Sequence, residues 1–249
     1  AMTVADEYYL SMSPYMRNTG LAYQFTPLRN PEPGQAGQRT WTDTDKMYRN
    51  VTEKFRWGGV ADTKGIYLDE TVRRMVTTHR SAVADLATAL YFEGYDALNP
   101  ADSTSVSDAD RKFAADRFAK AETVLKLVDE KLPASVVPYS IQIGEQIARL
   151  YLMLGLQTEN QELQQRGMQI LESEILRYGK YLPYFRELRR TLPGWGYSGL
   201  SATDRYVPVY LYTLIEDYMT YGGDTDSLTK KLSAAGININ DLEEYLPQQ

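Results

Sequence analysis

The chain has 249 residues, no cysteine, a single histidine (His79) and a formal charge of −6. Without cysteine there are no disulfides, no thiol chemistry and no cysteine-based zinc site, and one histidine cannot build a multi-histidine metal centre. An acidic balance with no basic stretch speaks against nucleic acid as a partner.

The acidic excess is uneven. From Glu216 to Gln249 seven acids face two lysines, a net of −5 that leaves the rest of the chain close to neutral. Mean hydropathy is −0.45, and no run of 18 apolar residues suggests a membrane span. The opening "AMTVADEYYL" has neither the basic nor the apolar part of a secretory signal. Such a chain is expected to be globular and can bury a sizeable core. Tyrosine is the compositional outlier, with 20 residues against 6 Phe and 3 Trp.

Residues 1–68 read as an irregular N-terminal segment packed on a helical domain. Asp6 to Ser13 suits a short helix stopped by Pro14, and residues 26–42, with Pro27, Pro31, Pro33, Gly34 and Gly37, are loop chemistry. Asp43 or Thr44 can cap a helix carrying Met47, Tyr48, Val51 and Phe55, which "WGG" at Trp57 to Gly59 ends.

From Asp69 the helical period is plain. Val72, Met75, Val76, His79, Val83, Leu86, Ala87, Leu90 and Tyr91 return to one face every three or four residues, with Gly94 as the expected C-cap. A polar linker follows, then a capping box in "SDAD" (Ser107 to Asp110) and a helix carrying Ala114, Phe118, Ala121, Leu125, Val128 and Leu132. A third helix is expected from Pro138 to Gly155. A fourth, with Leu163, Met168, Leu171, Ile175 and Tyr178, is expected after a box in "TENQ" (Thr158 to Gln161).

These two successive hairpins, spanning 69–180, resemble tetratricopeptide repeats in their order of helix, glycine, turn and helix. Residues 181–249 then supply C-terminal helices: one with Val207, Tyr210, Leu211, Leu214, Ile215 and Tyr218, with Pro208 in its first turn and Gly222-Gly223 at its end, and two short ones capped by Asp224 or Asp226 and by Asn240. No strand alternation stands out. The fold class is all-α, with tetratricopeptide-like hairpins in one continuous domain.

Four segments carry a resemblance. "YYLSMSPYMRNTGLAYQFTPLRNP" (Tyr8 to Pro31), "KMYRNVTEKFRWGGV" (Lys46 to Val60), "YLDETVRRMVTTHRSAVADLATAL" (Tyr67 to Leu90) and "VPYS" (Val137 to Ser140) occur in order over roughly the first 140 residues. Together they resemble the soluble C-terminal domain of bacterial multi-pass membrane proteins related to protein O-mannosyltransferases. The resemblance implies a tail on the periplasmic face of the inner membrane, tethered through upstream spans. It also implies a membrane-embedded glycosyltransferase body, whose acidic catalytic residues this stretch does not carry. The domain alone is not expected to be an enzyme.

Several candidate sites have a plain structural role as well. His79 lies on the apolar stripe and reads as a core residue with one satisfied nitrogen. Arg73, Arg74 and Arg80 flank it and suit docking against acids of the first 68 residues. The pairs Asp43/Asp45, Asp108/Asp110 and Asp224/Asp226 each precede a helix, where capping explains them; none completes a calcium loop.

Nine tyrosines fall between Tyr178 and Tyr221, interleaved with Arg186, Arg189 and Arg190. Tyr184, Arg186, Arg189, Trp195 and Tyr197 are the candidate ligand-binding residues for a protein or glycan, with Trp195 held between glycines in "PGWGYSG". That loop lacks the Lys-Ser/Thr ending of a phosphate loop, and no catalytic constellation, metal site or cofactor motif is found. "NVT" at Asn50 matches a glycosylation triplet, while "DST" at Asp102 and "DSL" at Asp226 resemble bacterial O-glycosylation acceptors. The expected function is a non-catalytic extracytoplasmic binding domain; the alternative is a glycan-binding lipoprotein of a nutrient-uptake system.

Overall fold

A computed structural model describes residues 11–30, 41–62, 67–100, 105–191 and 201–238. The described chain is mostly α-helical and forms two compact units, residues 1–139 and 140–249. The division falls between the two predicted hairpins, within the 69–180 segment.

In the first unit, the N-terminal segment is less irregular than its prolines suggest. Met16–Asn18 (β1) pairs antiparallel with Tyr23–Phe25 (β2) and parallel with Trp41–Thr42 (β3), giving the order β2-β1-β3. Strands of two or three residues are too short to show alternation in sequence, so this sheet was not legible there. Asparagine amides hold it. Asn30 Nδ2 donates to the Met16 carbonyl at 2.7 Å, and Asn50 Nδ2 to that of Thr19 at 2.7 Å. The side chain of the "NVT" asparagine is therefore engaged inside the fold. Arg17 donates to Asn30 Oδ1 and lies 4.8 Å from the Trp41 ring centroid.

Helix α1 (Thr44–Arg49) is capped by Asp43, whose carboxylate accepts from the Lys46 amide, and continues into a π-helical turn at Asn50–Lys54. Helix α2 (Glu70–Leu98) begins at the Asp69 cap and pairs with α3 (Asp108–Lys131), which opens with the predicted Ser107–Asp110 capping box. Val83, Leu86, Ala87 and Leu90 of α2, and Ala114, Val124 and Leu125 of α3, are buried in this pairing.

Gly94 does not end α2, which runs a further turn to Leu98. Its role is close approach: a Cβ there would stand 2.7 Å from the Phe118 ring of α3. His79 is half-buried, with Nδ1 2.7 Å from the Met75 carbonyl and its ring against Phe55 and Trp57.

The second unit contains α4 (Ile143–Gln157), α5 (Gln161–Gly179), α6 (Tyr181–Thr191), α7 (Ala202–Thr220) and α8 (Thr225–Ala234). α4 starts five residues later than predicted from Pro138 and outlasts Gly155 by two. The α5 cap is Asn160, which accepts from the amides of Glu162 and Leu163, while the Thr158 hydroxyl turns back to the Leu154 carbonyl. α7 begins at its Ser201 cap, so Pro208 lies inside the helix rather than in its first turn. Gly222 and Gly223 end α7 as predicted, and of the two candidate caps of α8 it is Asp224 that serves, with Asp226 in the first turn. The second short helix, near Asn240, falls outside the described residues.

Tyr178, Tyr210 and Tyr218 are core residues of this unit. The Tyr178 and Tyr210 rings meet edge to face at 5.0 Å, and the Tyr210 hydroxyl oxygen accepts from the Glu145 amide at 3.2 Å. Burial pushes the Tyr210 hydroxyl far above its ordinary range, so it stays protonated. Among the described residues no helix is long and apolar enough to cross a membrane.

Candidate functional site

Two glycines bring α4 and α5 unusually close. At Gly167 of α5 a Cβ would stand 2.6 Å from Leu152 Cγ and 2.9 Å from the Ala148 carbonyl oxygen; at Gly155 of α4 it would stand 2.8 Å from the Gln164 nitrogen. The turn between the helices is tight. Glu159 sits at φ 53°, Asn160 N–H returns to the Gly155 carbonyl at 2.8 Å, and Glu159 N–H to that of Leu156 at 3.3 Å. This is a Schellman closure with glutamate in the left-handed position that glycine ordinarily fills.

Above this contact the helices leave a groove of about 460 Å³. Leu156, 56% exposed, and half-buried Met168 supply its apolar surface, over a Leu152 that is itself buried. Gln161, Gln165 and Gln169 line it, together with Gln164, whose Nε2 donates to the Gly155 carbonyl at 3.0 Å. Tyr221, the C-cap of α7, completes the lining. No lining residue is ionic, although charged residues make up 24% of the chain.

The charges near Tyr221 satisfy one another. Arg149 grips Asp217 through two bonds of 2.6 and 2.8 Å, and reaches Glu145 at 3.2 Å. Burial, and then the Asp217 carboxylate, push the Tyr221 hydroxyl up, so it is a donor at neutral pH. The groove thus offers amide donors and acceptors, one phenol and an apolar surface. That composition suits an uncharged ligand able to give and take hydrogen bonds.

Of the predicted site residues, Tyr184 and Arg186 do not line this groove. Tyr184 is exposed on α6, its ring 5.6 Å from that of Phe185, and Arg186 is exposed on the same helix. Two residues apart on a helix, these side chains do not share a face. Arg189 belongs to α6 by its backbone, and Trp195 and Tyr197 lie outside the described residues.

Arg73 and Arg74 are exposed in the first turns of α2. Arg80 departs from the docking role expected of it. It is fully buried, and its guanidinium donates to the carbonyls of Leu132 at 2.8 Å, Val137 at 2.6 Å and Pro138 at 3.1 Å, with the Tyr139 ring centroid 4.6 Å away. Arg117 does meet an N-terminal acid, bonded to Asp45 at 2.6 Å.

The groove was missed because its residues carry no motif. One signal was present: glutamine at 161, 165 and 169, a period of four on a helix already evident from its apolar stripe. No family model matches the chain, and neither does any of the curated proteins or solved structures compared with it.

Proposed function

We propose that the chain is an extracytoplasmic interaction domain that binds and positions a protein or glycan, at the C-terminus of a membrane-bound glycosyltransferase-like protein. The observation that carries the binding role is the groove between α4 and α5, whose lining combines apolar surface with glutamine amides and excludes ionic groups. Charge-free grooves of this size suit ligands held by shape and hydrogen bonds. The tetratricopeptide-like character of the hairpins and the place of the domain on the periplasmic face belong to the same reading, and rest on the four ordered segments that resemble that membrane family.

The binding role is tested by nuclear magnetic resonance of the ¹⁵N-labelled chain titrated with neutral hexapeptides and with maltohexaose. Saturable shifts centred on Gln165, Gln169 and Tyr221, lost in Leu156→Asp, are expected. Shifts confined to other surfaces would reject the groove. The location is tested by adding protease to intact and to outer-permeabilised cells: cleavage only after permeabilisation is expected, and cleavage confined to cytoplasmic extracts overturns it.

A further inference from the structure

Gln161, Gln165 and Gln169 stand four residues apart and therefore share one face of α5. Helix rise sets their backbone spacing at about 6 Å. An extended polypeptide repeats every two residues, about 6.6–6.8 Å, and turns every second residue's N–H and C=O to the same side. A primary amide carries both donors and an acceptor, so one glutamine can bond the N–H and the C=O of one residue together. Over two intervals the mismatch between the repeats is roughly 1.5 Å, which long glutamine side chains absorb.

We infer that the groove takes an extended, uncharged peptide segment lying along α5, with Gln161, Gln165 and Gln169 bonding alternate residues of its backbone. The ligand side chains between those bonds then rest on Leu156 and Met168. From Gln161 to Gln169 the helix advances about 12 Å, and three bonded residues with the two between them set a core of roughly five residues of extended chain. An ionic side chain in that core would lose hydration with no counter-charge among the lining residues, so the segment is neutral there. Gln164 serves differently: its bond to the Gly155 carbonyl holds it in place beside the other three. The inference rests on the groove being the binding surface, and names what it binds.

The experiment uses the full ¹⁵N-labelled chain and an array of acetylated, amidated hexapeptides built from Ala, Ser, Thr, Gln, Val and Leu. The best binders are expected to shift the side-chain amide signals of the three glutamines. The triple variant Q161A/Q165A/Q169A is expected to weaken binding about tenfold or more, since each lost bond is worth up to about tenfold. These glutamines are exposed and alanine favours helix, so the variant keeps its circular dichroism.

A second readout leaves the protein unaltered. N-methylation of alternate peptide amides should abolish binding, while methylation of the intervening ones should not. Equal sensitivity at every amide, or full affinity in the triple variant, overturns the inference. If no hexapeptide binds while maltohexaose shifts the groove signals, the peptide is wrong and the groove still binds; if neither shifts them, both readings fall.

Discussion

Arg117 of α3 joins the N-terminal segment to the helical hairpin of the first unit: its guanidinium lies 2.6 Å from Asp45 in the first turn of α1 and 3.1 Å from Glu93 on α2. Glu93 in turn accepts from the Thr44 hydroxyl at 2.9 Å. Three elements distant in sequence therefore meet at one buried cation.

Replacing that cation by an apolar residue of similar length should be costly. In Arg117→Met the half-buried Glu93 loses its counter-charge, and a loss of about 2 kcal/mol is expected, below the full range for deeply buried pairs because water still reaches Asp45. Asp45→Asn, on the exposed side, should cost under about 1 kcal/mol. Urea denaturation measures both; equal losses would contradict this ordering.

The two carboxylates should give opposite pH dependence. Burial pushes Glu93 above its ordinary range, outweighing the Thr44 bond and the Arg117 charge, whereas the hydrogen bond from Arg117 holds Asp45 below its range. A raised carboxyl favours folding while protonated, and that contribution is lost as pH rises through its folded value. A depressed one contributes above the usual carboxylate range and is lost as pH falls. Glu93→Gln mimics the protonated group, so its unfolding midpoint should exceed that of the wild type at pH 8 and equal it at pH 4. A midpoint lowered at pH 8 would show that the attraction of Arg117 outweighs burial.

Glu159 occupies a backbone conformation that its side chain disfavours, at φ 53°. Glu159→Gly should stabilise the chain by about 0.5–1 kcal/mol, the relieved strain exceeding the added freedom of the unfolded state. Calorimetry should show a melting temperature higher by about 2 °C. A lower value would mean the glutamate side chain contributes more than its backbone costs.

Gly167→Ala tests the close approach of α4 and α5. The new methyl would press on Leu152 and on the Ala148 carbonyl, and backbone cannot yield as a side-chain tip can. A loss of about 1–3 kcal/mol is expected, with groove signals of Leu152 and Met168 displaced in the nuclear magnetic resonance spectrum. An unchanged spectrum would show that the helices separate freely.

The helices were legible wherever a long apolar stripe and a cap coincided, as in α3, where Ser107 and Asp110 bond each other's backbone as the sequence suggests. Boundaries slipped where one residue type can do two jobs. Gly94 and Gly155 look like helix ends in sequence, yet in space they are where another helix comes near. Asn160 displaced Thr158 as cap because its carboxamide reaches two amides at once. The sheet was invisible because its strands are two or three residues long, and the Arg117 cluster because its partners Glu93 and Asp45 lie 24 and 72 residues away. The groove is a property of two helix faces together, and neither face announces it alone.

The arrangement around Arg80 decides where the first unit can be cut. A fragment ending at Lys131 would retain all of α2 and α3, but would leave the guanidinium in apolar surroundings without the carbonyls of Leu132, Val137 and Pro138. Eight residues more, to Tyr139, restore all three acceptors and the aromatic face beneath the cation. The stretch 132–139 looks like a tether after the last helix, yet it is the lining of a charge inside the domain, and limited proteolysis should spare it.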